Sequence, residues 1–255
     1  MGKNIILIFL SAFIANTANA QVDHETGFLD RSLDVDGVIH KYQIYLPRDY
    51  DEEREWPVIL FLHGGGERGD NGMAQTHVGL GRAIRFNPER WPAIVVFPQA
   101  PEGEFWIGDT AEIAMAALNQ TINNYSIDES RVYLTGLSLG GGGTWYMSYQ
   151  YTERFAAIVP VCAYVEVGDR KIIEFQEDQD AFSQLAEDIA GIPVWLVHGE
   201  VDQVISVEQS RRMAAALRAA DANVTYTELP GVNHNSWDAA YTNEALIEWL
   251  FSQRR

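Results

Sequence analysis

The sequence predicts an α/β fold, a mostly parallel, doubly wound sheet entered through an N-terminal antiparallel hairpin. Three observations carry this. Short continuous apolar runs recur at residues 58–62, 93–97, 132–134, 157–159 and 194–197. Runs of that kind suit strands buried on both faces, as in a parallel sheet covered by helices. The stretches between them carry apolar residues at helical spacing, and alternation of the two types gives a sheet with helices on both sides. Finally, residues 28–33 and 38–46 flank Asp36-Gly37, a dipeptide that accepts the positive φ angles of a two-residue hairpin turn.

Taken in order, Ile39, Tyr42, Ile44 and Leu46 alternate imperfectly, as in an outer antiparallel strand. Residues 58–62 and 93–97 supply the next two strands. Asp109-Thr110-Ala111-Glu112 resembles a capping box, and Ala114, Leu118, Ile122 and Tyr125 then fall on one helical face. A strand over 131–135 leads through glycines into a helix over 139–149. Strands at 157–159 and 194–197 follow, then an Ala-rich helix over 207–219 and a more alternating strand over 224–229. A helix over 242–253 closes the chain, with Arg254 and Arg255 suited to its C-terminal dipole. Residues 164–190 break the pattern. They are acidic and polar, and read as a surface insertion with one helix that could form a rim at the strand ends.

The 255 residues, 47% hydrophobic and 21% charged, suit one globular α/β domain over 21–255. Residues 1–20 read as a signal peptide: Lys3 is the positive start, residues 5–15 the short apolar region, and Ala18-Asn19-Ala20 the small-x-small cleavage site. The expected location is therefore secreted or periplasmic, with no membrane anchor after cleavage. Cys162 is the single cysteine, so no intramolecular disulfide can form, and its apolar surroundings suggest a small buried hydrophobe. A net charge of −18 opposes binding to nucleic acid or anionic lipid. Oligomeric state is not encoded in any of these features.

The chemistry centres on Gly136-Leu137-Ser138-Leu139-Gly140, a G-x-S-x-G motif between a predicted strand and a glycine-started helix. A sharp strand-to-helix turn exposes the serine Oγ, and the helix N-terminus offers free N–H groups to a developing oxyanion. Serine needs a base. In the α/β-hydrolase arrangement the acid and then the histidine follow the nucleophile, leaving His198 and His234 among the chain's histidines. His234 lies in a loop between the last strand and last helix, and is the favoured base. Asp202, beyond the Gly199 turn, is the favoured acid, with Glu200 and Asp238 as rivals. His63-Gly64-Gly65-Gly66 after the strand 58–62 reads as an oxyanion loop, with donors expected from Gly65 or Gly66 and from Leu139. No metal-ligand pattern such as H-E-x-x-H or paired cysteines occurs, so no metal or other cofactor is expected.

With these pieces in place, the stretch from Tyr42 to Leu250 resembles secreted α/β-hydrolases of the predicted peptidase/carboxylesterase family, related to poly(3-hydroxybutyrate) depolymerases and feruloyl esterases. The resemblance rests on Leu62-His63-Gly64-Gly65-Gly66-Glu67-Arg68-Gly69, on Phe97-Pro98-Gln99 with Trp106, and on the segment from Tyr133 to Gly141. His198-Gly199 with Asp202, and His234 with Ser236-Trp237-Asp238, complete it. Many relatives carry Met after the nucleophile where this chain has Leu139, a change that spares the backbone N–H. The resemblance implies Ser138, Asp202 and His234 as a triad acting on short acyl or aromatic esters, feruloyl or acetyl, often linked to carbohydrate. Trp106 and Trp237 are candidate pocket walls, and Arg68 is a candidate substrate contact whose alternative is an ion pair with Glu67 or Asp70. Two other functions compete. One is a serine peptidase of prolyl-oligopeptidase type, although no propeller segment occurs in this sequence. The other is a non-catalytic carbohydrate-binding protein on a hydrolase scaffold.

Overall fold

The computed structural model describes residues 25–167, 170–173 and 180–255. The signal-peptide reading and His24 lie outside them. The described strands include one eight-stranded sheet in the order β1-β2-β4-β3-β5-β6-β9-β10. β1 (Gly27–Val35) and β2 (Val38–Leu46) are the antiparallel hairpin, and β2 pairs antiparallel with β4 (Ile94–Pro98). From β4 onward, through β3 (Trp56–Leu62), β5 (Ile127–Leu137), β6 (Ala157–Val161), β9 (Val194–Gly199) and β10 (Val224–Leu229), every pairing is parallel.

The hairpin forms where its turn chemistry places it. Asp36 and Gly37 take φ of 52° and 82°, and the Gly37 N–H donates to Asp34 Oδ1 at 2.8 Å. Strand periodicity then divides the core in two. Val58, Leu60 and Leu62 of β3 face the same side as Ile94 and Val96 of β4 and Val132 and Leu134 of β5. That side is covered by α2 (Gly108–Asn124), α3 (Leu139–Gln150), α4 (Ala181–Asp188) and α5 (Glu208–Ala219). Ile59, Phe61, Val95, Phe97 and Tyr133 point the other way. They meet α1 (Gly79–Phe86), α6 (Trp237–Ala240) and α7 (Glu244–Ser252). All seven residues of β3 are buried, which is why its sequence is a continuous apolar run rather than an alternation.

Several local expectations are corrected. β5 begins at Ile127 rather than 131, because Ile127 pairs with Trp56 across an irregularity in the ladder. The capping box at 109–112 does not form: α2 starts at Gly108, and its N-cap Ile107 has no side-chain cap. The closing helix starts at Glu244, where Asn243 caps it by accepting from the Leu246 N–H. Arg254 and Arg255 do not serve that helix's end. Arg254 reaches Asp128 and Arg255 the carbonyls of Glu129 and Glu153, tying the C-terminus to the start of β5.

The described part of the 164–190 insertion is fastened to α5. Gln209 Oε1 accepts from the N–H groups of Val165 and Glu166, and Arg212 pairs with Glu166 and Asp180. A two-residue ladder, β7 (Glu166–Val167) with β8 (Arg170–Lys171), precedes α4. Its position as a rim depends partly on residues 168–169 and 174–179, outside the described set.

Candidate active site

β5 ends at Leu137 and α3 begins at Leu139, leaving Ser138 alone to make the turn. Its φ of 53° and ψ of −113° lie where a side-chain-bearing residue is strained by about 1–3 kcal/mol. Neighbouring bonds hold it there: the Ser138 N–H donates to Val161 O at 2.9 Å, and Ser138 O accepts from the Gly142 N–H at 3.1 Å. The glycines make the turn possible by letting backbones touch. A Cβ on Gly136 would stand 2.2 Å from Gly140 O, and one on Gly140 would stand 2.0 Å from Leu62 O and 2.8 Å from His63 O. Strand, helix and the loop after β3 therefore converge on the serine through bare backbone.

The acid and base arrive on two loops pressed together. Asp202 follows β9 and His234 follows β10, adjacent parallel strands. A Cβ on Gly199 would lie 2.3 Å from Asn233 O. The Val201 N–H donates to Val232 O at 3.0 Å and the Gln203 N–H to Asn233 Oδ1 at 3.1 Å. Within this clasp His234 Nδ1 stands 2.7 Å from Asp202 Oδ2, and His234 Nε2 stands 2.9 Å from Ser138 Oγ. The carboxylate can only accept, so Nδ1 carries the proton and Nε2 presents its lone pair to the serine hydroxyl. Ser236 N–H donates to His234 O at 2.8 Å, tightening the loop.

Asp202 is buried, with 0% side-chain exposure, against 19% for His234. Burial alone would push its carboxyl toward the neutral form. Hydrogen bonds from His234 and from the backbone N–H groups of Ile205 and Val204 outweigh that and hold it below the ordinary carboxylate value. Those N–H groups donate to Oδ1 at 3.0 and 2.8 Å, leaving Oδ2 for imidazole. The rival acids stand elsewhere. Glu200 accepts from the Gly231 N–H at 2.8 Å, and Asp238 meets Asn235 Nδ2 at 3.0 Å and Arg82 at 4.0 Å. His198, the rival base, is wholly buried beside Asp202 and does not reach Ser138.

The glycine loop after β3 forms a 3₁₀ turn over Gly65–Glu67. The N–H groups of Gly65, Gly66 and Leu139 all lie in first turns, where no carbonyl one turn back is available to them. The loop is braced from behind. The Ala100 N–H donates to His63 Nε2 at 2.9 Å, so the proton sits on Nδ1 and is given to Gly64 O at 2.6 Å. Burial pushes that imidazole down to about 4, so it stays neutral.

Trp106 belongs to this bracing. It is 1% exposed, its indole N–H donates to His63 O at 3.0 Å, and its ring meets the His63 ring edge-on at 4.9 Å. On sequence it is a candidate pocket wall; its indole packs against the oxyanion loop from within. Burying so large a ring requires a partner for its N–H, and the His63 carbonyl supplies it. Arg68 folds back over the loop from outside: Nε donates to Gly65 O at 3.0 Å and Nη1 to Glu104 O at 3.4 Å, in place of an ion pair with Glu67 or Asp70. Trp237 is partly exposed and stands edge-on to His234 at 5.5 Å.

Residues that sequence reasoning passed over also shape the site. Gln99 clamps the loop, Nε2 donating to Glu67 O at 2.9 Å and Oε1 accepting from the Gly72 N–H at 2.7 Å. Its signal was the Phe97-Pro98-Gln99 segment, which gave no role by itself. Cys162 is buried as expected, but it takes a φ of 39° at the end of β6, next to the serine turn. Burial pushes its thiol up to about 12, so it is not a thiolate near neutral pH. Among the described residues no group of three or more His, Cys, Asp or Glu side chains is placed to hold a metal ion.

Comparison with known proteins gives the family and the fold. The model of the prolyl oligopeptidase family matches residues 106–253, more than half the chain. A solved structure described as a thermostable esterase is 32% identical, covers 89% of this chain and 63% of its own, and superposes with a TM-score of 0.77. The feruloyl esterase module from Clostridium thermocellum, solved as an S954A mutant complexed with sinapinate, shares the fold at 19% identity. There the match covers 88% of this chain and 86% of that one, with a TM-score of 0.65. Among curated proteins, an uncharacterised secreted protein of Arthroderma benhamiae is 25% identical over 72% of this chain. The bifunctional acetylxylan esterase/xylanase of Neocallimastix patriciarum is 26% identical over 60%. The match spans 22% and 20% of those two relatives, about a fifth of their length. The chain belongs to the prolyl oligopeptidase family, a serine-hydrolase family of α/β-hydrolase fold.

Proposed function

We propose that this chain is a secreted or periplasmic serine carboxylesterase acting on short acyl or aromatic esters, feruloyl or acetyl, attached to carbohydrate. The observation that carries the reading is the unbroken hydrogen-bond chain from Ser138 Oγ through His234 to Asp202, at 2.9 and 2.7 Å, with the serine on a positive-φ turn. His234 Nε2 takes the Ser138 proton as Oγ attacks the ester carbonyl. N–H groups of Leu139 and of Gly65 or Gly66 receive the charge on the tetrahedral oxygen. Asp202 stabilises the imidazolium without taking its proton. His234 then protonates the leaving alcohol, and water clears the acyl-enzyme by the same steps in reverse. Trp237 supports the imidazole edge-on, and Arg68 and Trp106 hold the oxyanion loop from outside and inside.

The esterases among the relatives support the substrate class. The signal-peptide pattern of residues 1–20 and the secreted relative support export; among the described residues no helix is long and apolar enough to cross a membrane. The family match favours one alternative, hydrolysis of a peptide amide by the same residues. Comparing kcat/KM for an acyl ester and its matching amide decides between the two, the ester being the better substrate on this reading. Ser138→Ala should abolish turnover of p-nitrophenyl acetate, and retention of the parent rate contradicts the assignment.

A further inference from the structure

We propose that His198 is a positioning residue for the acid–base pair, a second imidazole that shares the Asp202 carboxylate with His234. This rests on the reading of Ser138, His234 and Asp202 given above. Asp202 Oδ2 has two imidazole neighbours: His234 Nδ1 at 2.7 Å and His198 Nε2 at 3.2 Å. His198 Nε2 also stands 3.0 Å from Ile205 O, and its Nδ1 stands 2.7 Å from Ser210 Oγ.

This pattern fixes one tautomer. Nε2 faces two oxygens that can only accept, so it carries the proton, hydrogen-bonded to Ile205 O at 3.0 Å with Asp202 Oδ2 beside it at 3.2 Å. Nδ1 is then the acceptor for the Ser210 hydroxyl. The ring is wholly buried, and burial outweighs the pull of the Ile205 carbonyl and the Asp202 charge, so it stays neutral. The charged and titratable groups around it are few. Asp202 and His234 face it directly. Glu228 is its register partner on β10 and is held by Arg211 and Tyr226. Cys162 lies near Asp202 from β6. None of these can replace the His198 donor at Oδ2.

Two consequences follow. His198 links the end of β9 to the Ile205 carbonyl across the turn that carries Asp202, so the carboxylate keeps the orientation that presents Oδ2 to His234. It also draws off part of the charge on Oδ2. Losing this donor leaves more charge facing His234, which then holds its proton to higher pH.

The test uses the full chain with an ester substrate. His198→Leu should lower kcat about tenfold or more, the range for one lost hydrogen bond to a charged group, with KM little changed. It should also move the acidic limb of the kcat/KM profile to higher pH. His198→Gln, whose amide nitrogen can approach the Nε2 position, should recover part of both effects. Ser210→Ala removes only the hydroxyl that fixes the tautomer, so it should shift the limb in the same direction by less, and it serves where His198→Leu does not fold. A merely structural role would lower activity at every pH without moving the limb, and would overturn the inference. So would a parent-like profile in all three variants while Ser138→Ala is inactive. Full activity in Ser138→Ala would instead remove the reading beneath it.

Discussion

The nucleophile turn and the acid–base clasp are built by opposite means. Around Ser138 the structure is made of backbone: glycines at 136 and 140 leave no room for a Cβ, and short-range carbonyl and amide contacts set the strained angle. Around Asp202 and His234 it is made of side chains drawn from separate loops, with His198 and Ser210 adding two more. A backbone turn has few degrees of freedom and tolerates almost no substitution. A side-chain network depends on how β6, β9 and β10 align, and hydrogen bonds between side chains hold its members. The first should therefore fail structurally when altered, and the second chemically.

The largest effect should come from the clasp. Asp202→Asn keeps the shape of the side chain but can offer an N–H where His234 needs an acceptor. It should lower kcat by about 10⁴-fold with an unchanged melting temperature, since a triad aspartate sets the histidine tautomer. A parent-like kcat would separate Asp202 from the chemistry. At the turn, Gly140→Ala should cost about 3 kcal/mol or prevent folding, because its Cβ would overlap Leu62 O at 2.0 Å. Gly66→Ala, with nothing within 4 Å of its Cβ, should stay within about 0.5 kcal/mol. Denaturant midpoints check both, and equal losses would show that close approach is not what the elbow glycines provide.

The bracing histidine gives a third contrast, read through pH. His63 is pushed from 6.5 down to about 4 by burial. The unfolded chain therefore binds a proton in that interval and the folded chain does not. Stability should fall as pH drops from about 6.5 to about 4 and should stop responding to this group below that, a loss on the order of 3 kcal/mol. His198, also depressed, acts in the same direction. His63→Gln should flatten the urea midpoint over this interval. An unchanged slope would mean that His63 is charged in the folded state or not a significant contributor.

The same division decides what the sequence made legible. The hairpin was readable because Asp36-Gly37 needs only local geometry, and the parallel strands because burial on both faces leaves continuous apolar runs. The G-x-S-x-G turn was readable for the reason it is fragile: its glycines are demanded by close backbone approach, Gly136 to Gly140 O and Gly140 to Leu62 O. The insertion of β4 between β2 and β3 was not readable, since periodicity carries no strand order. Trp106 was only a candidate pocket wall on sequence, because an aromatic near a motif does not reveal which way it faces; the packed sheet turns it onto His63. His198 was visible as a strand-end histidine, but its contact with Asp202 depends on how the turn to Ile205 closes. The capping box at 109–112 failed because the helix starts two residues earlier, at Gly108, which puts Asp109 inside its first turn.

The proposed chemistry requires the Ser138 hydroxyl to be activated for covalent attack. Treating the folded chain with a fluorophosphonate probe and mapping the adduct by peptide mass spectrometry tests this directly. A single modification on Ser138 is expected, lost in Ser138→Ala and strongly slowed in His234→Ala. No adduct on the folded protein, or an adduct on another residue with Ser138 untouched, would contradict it.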